Sequence, residues 1–292
     1  MNLETTILFE DEDILVINKP AGVVVNQAET VTEMTVQSWH EARVATYIHQ
    51  EGFARGMLKS EYFDVSYGTP EEIFAQRGGV VHRLDKDTSG VLILAKHPAS
   101  LLHLLYQFRE RLVQKEYLCL VHGKVQLAEA TLDIPLGRAS RDRKLFAAQP
   151  DGRPAVTKYR VEEMYGGLAV DQLFEDIQAK EGRGVPSEVA KLTKSAFKKR
   201  IAIYQGFSLV KCWPKTGRTH QIRVHMAHIQ HPVVGDSFYL GKKRRVLDPL
   251  WCPRQFLHAV QLELSHPRSN APIVFSAPVA QELQNATKYL LK

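Results

Sequence analysis

His82, Arg83 and Asp85 stand almost side by side in residues 78–96, G-G-V-V-H-R-L-D-K-D-T-S-G-V-L-I-L-A-K. An imidazole, a guanidinium and a carboxylate set this closely between apolar stretches are the material of a catalytic site, with Asp85 the group able to react. An ordinary alternative stands beside that reading: Asp85 and Asp87 could be turn residues whose carboxylates accept backbone N–H groups ahead of Thr88 and Ser89. A second chemistry-bearing run, residues 214–236, reads P-K-T-G-R-T-H-Q-I-R-V-H-M-A-H-I-Q-H-P-V-V-G-D. Its histidines His220, His225, His228 and His231 invite a metal reading. Helical metal pairs use i, i+4 spacing with an acidic helper. His220 and His225 stand further apart with no acid between them, so no metal is expected.

The elements around Asp85 follow from residue type. Val80 and Val81 on one side and residues 91–95 on the other are β-branched or aliphatic and read as buried sheet. Thr88, Ser89 and Gly90 supply turn chemistry between them. Asp85 is thereby expected at the mouth of a sheet, on a loop held by rigid strands, where catalytic groups concentrate. Further short strands are expected at 5–10, 14–18, 116–121, 155–161, 207–212 and 257–264, with helical patterns between several of them. Irregular alternation of this kind points to an α+β fold with a mixed or antiparallel sheet rather than a doubly wound nucleotide fold. No Gly-rich phosphate loop is present, and no boundary in composition splits residues 1–292, so a single catalytic domain is expected.

Composition bounds the class. A chain of 292 residues with 44% hydrophobic and 24% charged residues can bury a substantial core,. No apolar run approaches a membrane-spanning length, and the acidic start lacks the basic residues of a leader, so a cytoplasmic protein is expected. Cys119, Cys212 and Cys252 are widely spaced and odd in number, which argues against a disulfide framework and a zinc module. The formal net charge of +6 suits an anionic partner,. Its distribution says more: Arg138, Arg141, Arg143 and Lys144 crowd one stretch, Lys191, Lys194, Lys198, Lys199 and Arg200 another, and Lys242, Lys243, Arg244 and Arg245 a third. Each is a candidate phosphate contact, the alternative being a solvated face.

Residues 78–96 and 214–236, with the opening residues 7–23, I-L-F-E-D-E-D-I-L-V-I-N-K-P-A-G-V, and residues 114–123, Q-K-E-Y-L-C-L-V-H-G, resemble the motifs of the RluA-type pseudouridine synthases. The resemblance runs from about residue 5 to residue 277 and keeps the order and rough spacing of all four motifs. It implies a bent, mainly antiparallel central sheet flanked by helices, with an active-site cleft across it. It implies isomerisation of specific uridines in structured ribosomal or transfer RNA, with no cofactor. It puts the catalytic aspartate on Asp85, the aromatic ring against the target base on Tyr117, the basic partner of the aspartate on Arg223 and the aliphatic neighbour on Ile222.

The residue types fit that chemistry. Uridine is joined to ribose through N1 and the product through C5, so the base must be detached, turned and reattached in one pocket. A carboxylate can form a covalent bond and leave again, and an adjacent guanidinium keeps it ionised and fixed in orientation. A stacked target base must be extruded, at a cost of a few kcal/mol. Arg83, two residues before Asp85 and on the same side of an extended segment, is expected to fill the gap. His82, His220, Arg218 and Thr88 are the remaining candidate RNA or base contacts, with His82 also expected to act as a packing support. A catalytically idle RNA-binding protein with the same fold is the competing reading, and it should have lost Asp85 or its cation.

Two departures from a minimal member are expected. Residues 166–206 look like a helical insertion in which Val189, Leu192 and Ala196 share one stripe of an amphipathic helix and Lys191, Lys194 and Lys198 another. No small separate RNA-binding domain precedes the motifs, so RNA selection is expected to rest on the catalytic domain, the insertion or residues 27–79. A monomer is expected.

Overall fold

The structure, a computed structural model, describes residues 2–29, 31–44, 62, 65–140, 142–143, 145–179 and 186–292. Arg141 and Lys144 lie outside the described residues. In chain order the elements are β1 (Ile7–Glu10), β2 (Ile14–Lys19), α1 (Val36–Val44), α2 (Pro70–Arg77), β3 (Ser89–Ala95), α3 (Pro98–Arg109), β4 (Gln114–His122), β5 (Glu129–Asp133), β6 (Leu136–Arg138), β7 (Phe146–Ala148), β8 (Val156–Tyr165) and β9 (Gly167–Leu168). There follow α4 (Val170–Ala179), α5 (Ser187–Ala190), α6 (Lys194–Ile201), β10 (Phe207–Pro214), α7 (Gln221–His228), α8 (Lys242–Leu247), β11 (Leu257–Ser265), β12 (Pro272–Ser276), α9 (Gln281–Thr287) and β13 (Leu290–Leu291). The class is α+β. No helix among the described residues is long and apolar enough to cross a membrane.

The chain divides into two compact units, Met1–Glu116 with Ala259–Pro278, and Tyr117–His258 with Val279–Lys292. Two of the three divisions fall inside β4 and inside β11, where no Pro/Gly linker or change of composition marks them in the sequence, and the third follows Pro278 in the loop between β12 and α9.

In the first unit β1, β2, β3 and β11 are neighbours in that order, and β12 pairs with β11. The β1–β2, β2–β3 and β11–β12 ladders are antiparallel. Every residue of β3 is buried, which is why S-G-V-L-I-L-A is continuously apolar or small instead of alternating. Gly90, with φ +118°, has no room for a side chain: a Cβ there would stand 2.2 Å from the carbonyl oxygen of Ala259. A capping box between Thr69 and Glu72 starts α2, and Gly78, in the left-handed region, ends it,. Helix α3 closes a core that includes Ile14, Val16, Val91, Ile93, Leu101 and Leu104.

In the second unit the order is β4, β10, β8, β5, again antiparallel throughout. Strand β5 alternates exposed and half-buried residues along its length. Its core gathers Leu120, Phe197, Phe207, Trp251, Phe256 and Leu283. All three cysteines are buried, unbridged thiols. The stretch 166–206 contributes β9, α4, α5 and α6. Val189, Leu192 and Ala196 do not share one helix, contrary to the periodicity. The Leu192 N–H closes a turn on the Val189 carbonyl, and the Thr193 side chain accepts the Ala196 N–H and caps a new helix. The N-cap preference of Thr overrides the stripe.

Candidate active site

Asp85 is half-buried at the head of a turn that the Thr88 N–H closes on the Asp85 carbonyl at 3.0 Å. What fixes that turn is Lys19, at the end of β2, which is completely buried. Its ammonium donates to the carbonyls of Pro20 (2.8 Å), Val23 (2.9 Å) and Lys86 (3.0 Å). The Gly22 N–H reaches the same Lys86 carbonyl at 2.9 Å. The residue after Asp85 is thus clamped to the 19–23 loop by a charge-assisted bond and a backbone bond. Sequence alone assigns Lys19 no role. Its signal was a lysine ending an apolar strand run just before Pro20, a place where an ammonium has only carbonyls for company.

Loss of that ammonium exposes its worth. Lys19→Met, which keeps the stem but removes the donor, is expected to destabilise the protein by on the order of 3 kcal/mol, since buried carbonyls lose a charged partner. A shifted urea midpoint with unchanged slope is the readout. An unchanged midpoint would mean the clamp contributes nothing.

Around the turn, Arg83 is exposed, whereas Thr88 is buried and serves the turn through its backbone. The His82 ring stacks on Phe108 at 4.7 Å and its Nε2 accepts the Ile93 N–H at 3.2 Å. Burial, with the nearby Lys115 charge adding, pushes the His82 pKa down to about 3. It is therefore a neutral packing residue that ties the approach segment to β3.

The second unit holds Tyr117, Ile222 and Arg223. Tyr117 is half-buried on β4, opposite Cys212 of β10. It packs on the cluster that contains Cys119, Val210, Ile222 and Met226. Arg223 projects from α7 into a fork-to-fork pair with Asp236, Nε to Oδ2 at 2.7 Å and Nη2 to Oδ1 at 2.9 Å, with both side chains buried. Asp236 Oδ1 also accepts the N–H groups of Phe238 (2.8 Å) and Tyr239 (3.1 Å). Their rings lie over the guanidinium at 5.4 and 5.2 Å. Asp236, the last residue of the 214–236 run, is thus the carboxylate that orients Arg223. Asp85 belongs to the first unit, and Tyr117 and Arg223 to the second.

His220 sits at the N-cap position of α7 with φ +56° and makes no side-chain cap bond, its Nδ1 lying 2.9 Å from the Tyr239 hydroxyl. Arg218 is half-buried and donates to the Pro154 carbonyl. Two other histidines of the run serve the fold, His225 bonding Thr157 and the Ile134 carbonyl and His231 the His122 carbonyl, while His228 is exposed. The described residues that could gather on a cation are Asp11, Asp13 and His266. They are already engaged, Asp11 by His266 and two backbone N–H groups, Asp13 by His97, Ser100 and Arg268.

Of the basic candidates, Lys194 pairs with Asp171 and Glu175, and Lys198 with Asp171. The acids come from α4, so a stretch without acids in sequence has them in space. Lys191, Lys242 and Lys243 are exposed, and Arg138 lies over the Phe146 ring at 5.3 Å.

The family model described as RNA pseudouridylate synthase matches residues 13–228. The chain is 35% identical over 273 residues to an uncharacterized RNA pseudouridine synthase of Chloroflexus aurantiacus, covering 94% of this chain and 65% of the relative. It is 33% identical to the ribosomal large subunit pseudouridine synthase D of Xanthomonas campestris pv. campestris, covering 97% of this chain and 68% of the relative. The chain thus spans about two thirds of the length of these relatives. Human RNA Pseudouridylate Synthase Domain Containing 1 shares the fold, with a TM-score of 0.59 at 24% identity over 94% of this chain and 82% of that one. The matched stretch contains Asp85, Tyr117 and Arg223 together, and the chain belongs to the RNA pseudouridylate synthase family.

Proposed function

We propose that this chain converts specific uridines to pseudouridine in structured RNA, without a cofactor, with Asp85 as the nucleophile. The observation that carries the reading is the clamped turn: within the stretch shared with the family, a half-buried carboxylate heads a turn pinned by a fully buried ammonium through main-chain atoms. In the reaction the N1–C1′ bond breaks, a C5–C1′ bond forms, the C5 proton leaves for solvent through a weak base and N1 takes up a proton, so atoms balance with no oxidant or reductant. Asp85 attacks and departs. Arg223 is the cation of the reaction, Tyr117 and Ile222 flank the base, and Arg83 fills the helix where the base was extruded. Thr88 and His82 hold the turn that presents Asp85, and Arg218, Arg138, Lys191, Lys242 and Lys243 meet phosphates.

Ribosomal RNA is the substrate class favoured by the relatives named for the large ribosomal subunit. The protein then works in the cytoplasm, as a monomer. An idle RNA-binding relative is the weaker reading, because Asp85, Tyr117 and Arg223 are all retained. Mapping pseudouridine across total RNA from cells with and without the protein tests the assignment. One or more sites missing from ribosomal RNA is the expected result, and an unchanged map would refute it.

A further inference from the structure

Residues 215–247 hold Lys215, Arg218, Arg223, Lys242, Lys243, Arg244 and Arg245 against the single acid Asp236, a surplus equal to the net charge of +6 of the whole chain. The remainder is neutral on balance, so attraction for a polyanion is concentrated here. Three rings of the second unit belong to the same neighbourhood. His220 stacks on Phe238, with centroids 5.7 Å apart and planes at 18°, and meets Phe146 edge-on at 6.0 Å. Arg138 lies over Phe146.

Phe238 is the unusual member, 47% exposed. A single exposed apolar ring is ordinary, but this one is not loose: its N–H is held by the buried Asp236 carboxylate, which Arg223 locks in turn. His220 reaches its place in the stack with a left-handed backbone, φ +56°, a conformation that costs a non-glycine residue energy and clusters at functional positions. A rigid, presented ring with the Arg223 guanidinium over it at 5.4 Å, and with Lys242 and Lys243 four and five residues further along the chain, matches the stacking platforms that take unpaired bases, where the face of any base suffices and phosphates are met by charge.

We propose that Phe238, backed by His220 and Phe146, receives an unpaired base of the RNA by stacking, while the side chains of Arg138, Lys242 and Lys243 take the adjoining phosphates. This rests on the proposed reaction only in naming RNA as the partner. The ring selects single-stranded nucleotides, and the cations supply affinity without sequence preference.

The test is binding of the full chain to a short oligouridylate and to an RNA duplex of the same length, by fluorescence anisotropy over a range of salt. Phe238→Ala and Phe238→Leu are expected to weaken oligouridylate binding by about ten-fold or more, and Phe238→Trp to restore it. Duplex affinity and the salt slope of these variants should stay at the wild-type values. Lys242→Ala with Lys243→Ala should weaken both RNAs and lower the salt slope by about 1–2. Phe238→Leu binding oligouridylate as tightly as wild type would overturn the platform. Ring-dependent binding by a chain that forms no pseudouridine in the mapping experiment would sustain the platform and remove the reaction, so the two claims fail separately.

Discussion

Asp85→Asn is expected to abolish pseudouridine formation, by on the order of 10⁴-fold or more, as removal of a nucleophile from an otherwise intact site does. Asparagine keeps the volume of the side chain but cannot form and release the covalent bond. The turn should survive, because the bonds that close and pin it use the main-chain carbonyls of Asp85 and Lys86. The expected pattern is therefore near-zero turnover with unchanged thermal midpoint and RNA affinity. Loss of stability in step with loss of turnover would instead assign the Asp85 carboxylate to the fold, the turn-residue alternative that the sequence leaves open.

Arg223→Ala should act in two ways at once. It strands Asp236 as an unpaired buried carboxylate, and breaking a buried pair by removing one partner costs about 3–5 kcal/mol. It also removes the cation assigned to the reaction. The double variant Arg223→Ala with Asp236→Asn separates these. Neutralising the stranded acid should recover much of the stability, measured by urea unfolding, yet none of the turnover. Recovery of turnover along with stability would reduce Arg223 to a structural support for the Phe238 and Tyr239 segment.

What could be read from the sequence was local. The strand at 91–95 follows from residue types within a few positions of each other, whereas the turn expected at Thr88 to Gly90 lies earlier, at Asp85 to Thr88, because Ser89 and Gly90 already belong to the buried strand β3. The α+β class followed from the alternation of such stretches. Non-local pairing was not legible. Nothing near Lys19 in the chain reveals that the Lys86 carbonyl, far along the sequence, completes its shell. Asp171 and Glu175 reach Lys194 and Lys198 only because α4 folds back beside α6. Asp236 as the holder of Arg223 needed the path of the chain after α7. The break at Thr193 was local and still missed, because a helical stripe and an N-cap compete for the same residues.

Release of tritium from RNA carrying uridine labelled at C5 follows the one proton the reaction must expel. With RNA from cells lacking the protein, purified wild-type chain in excess chelator is expected to release tritium up to one equivalent per modified site, and the Asp85→Asn chain none. Release by Asp85→Asn at the wild-type rate, or wild-type release only when a metal is restored, would contradict an aspartate-driven, cofactor-free isomerisation.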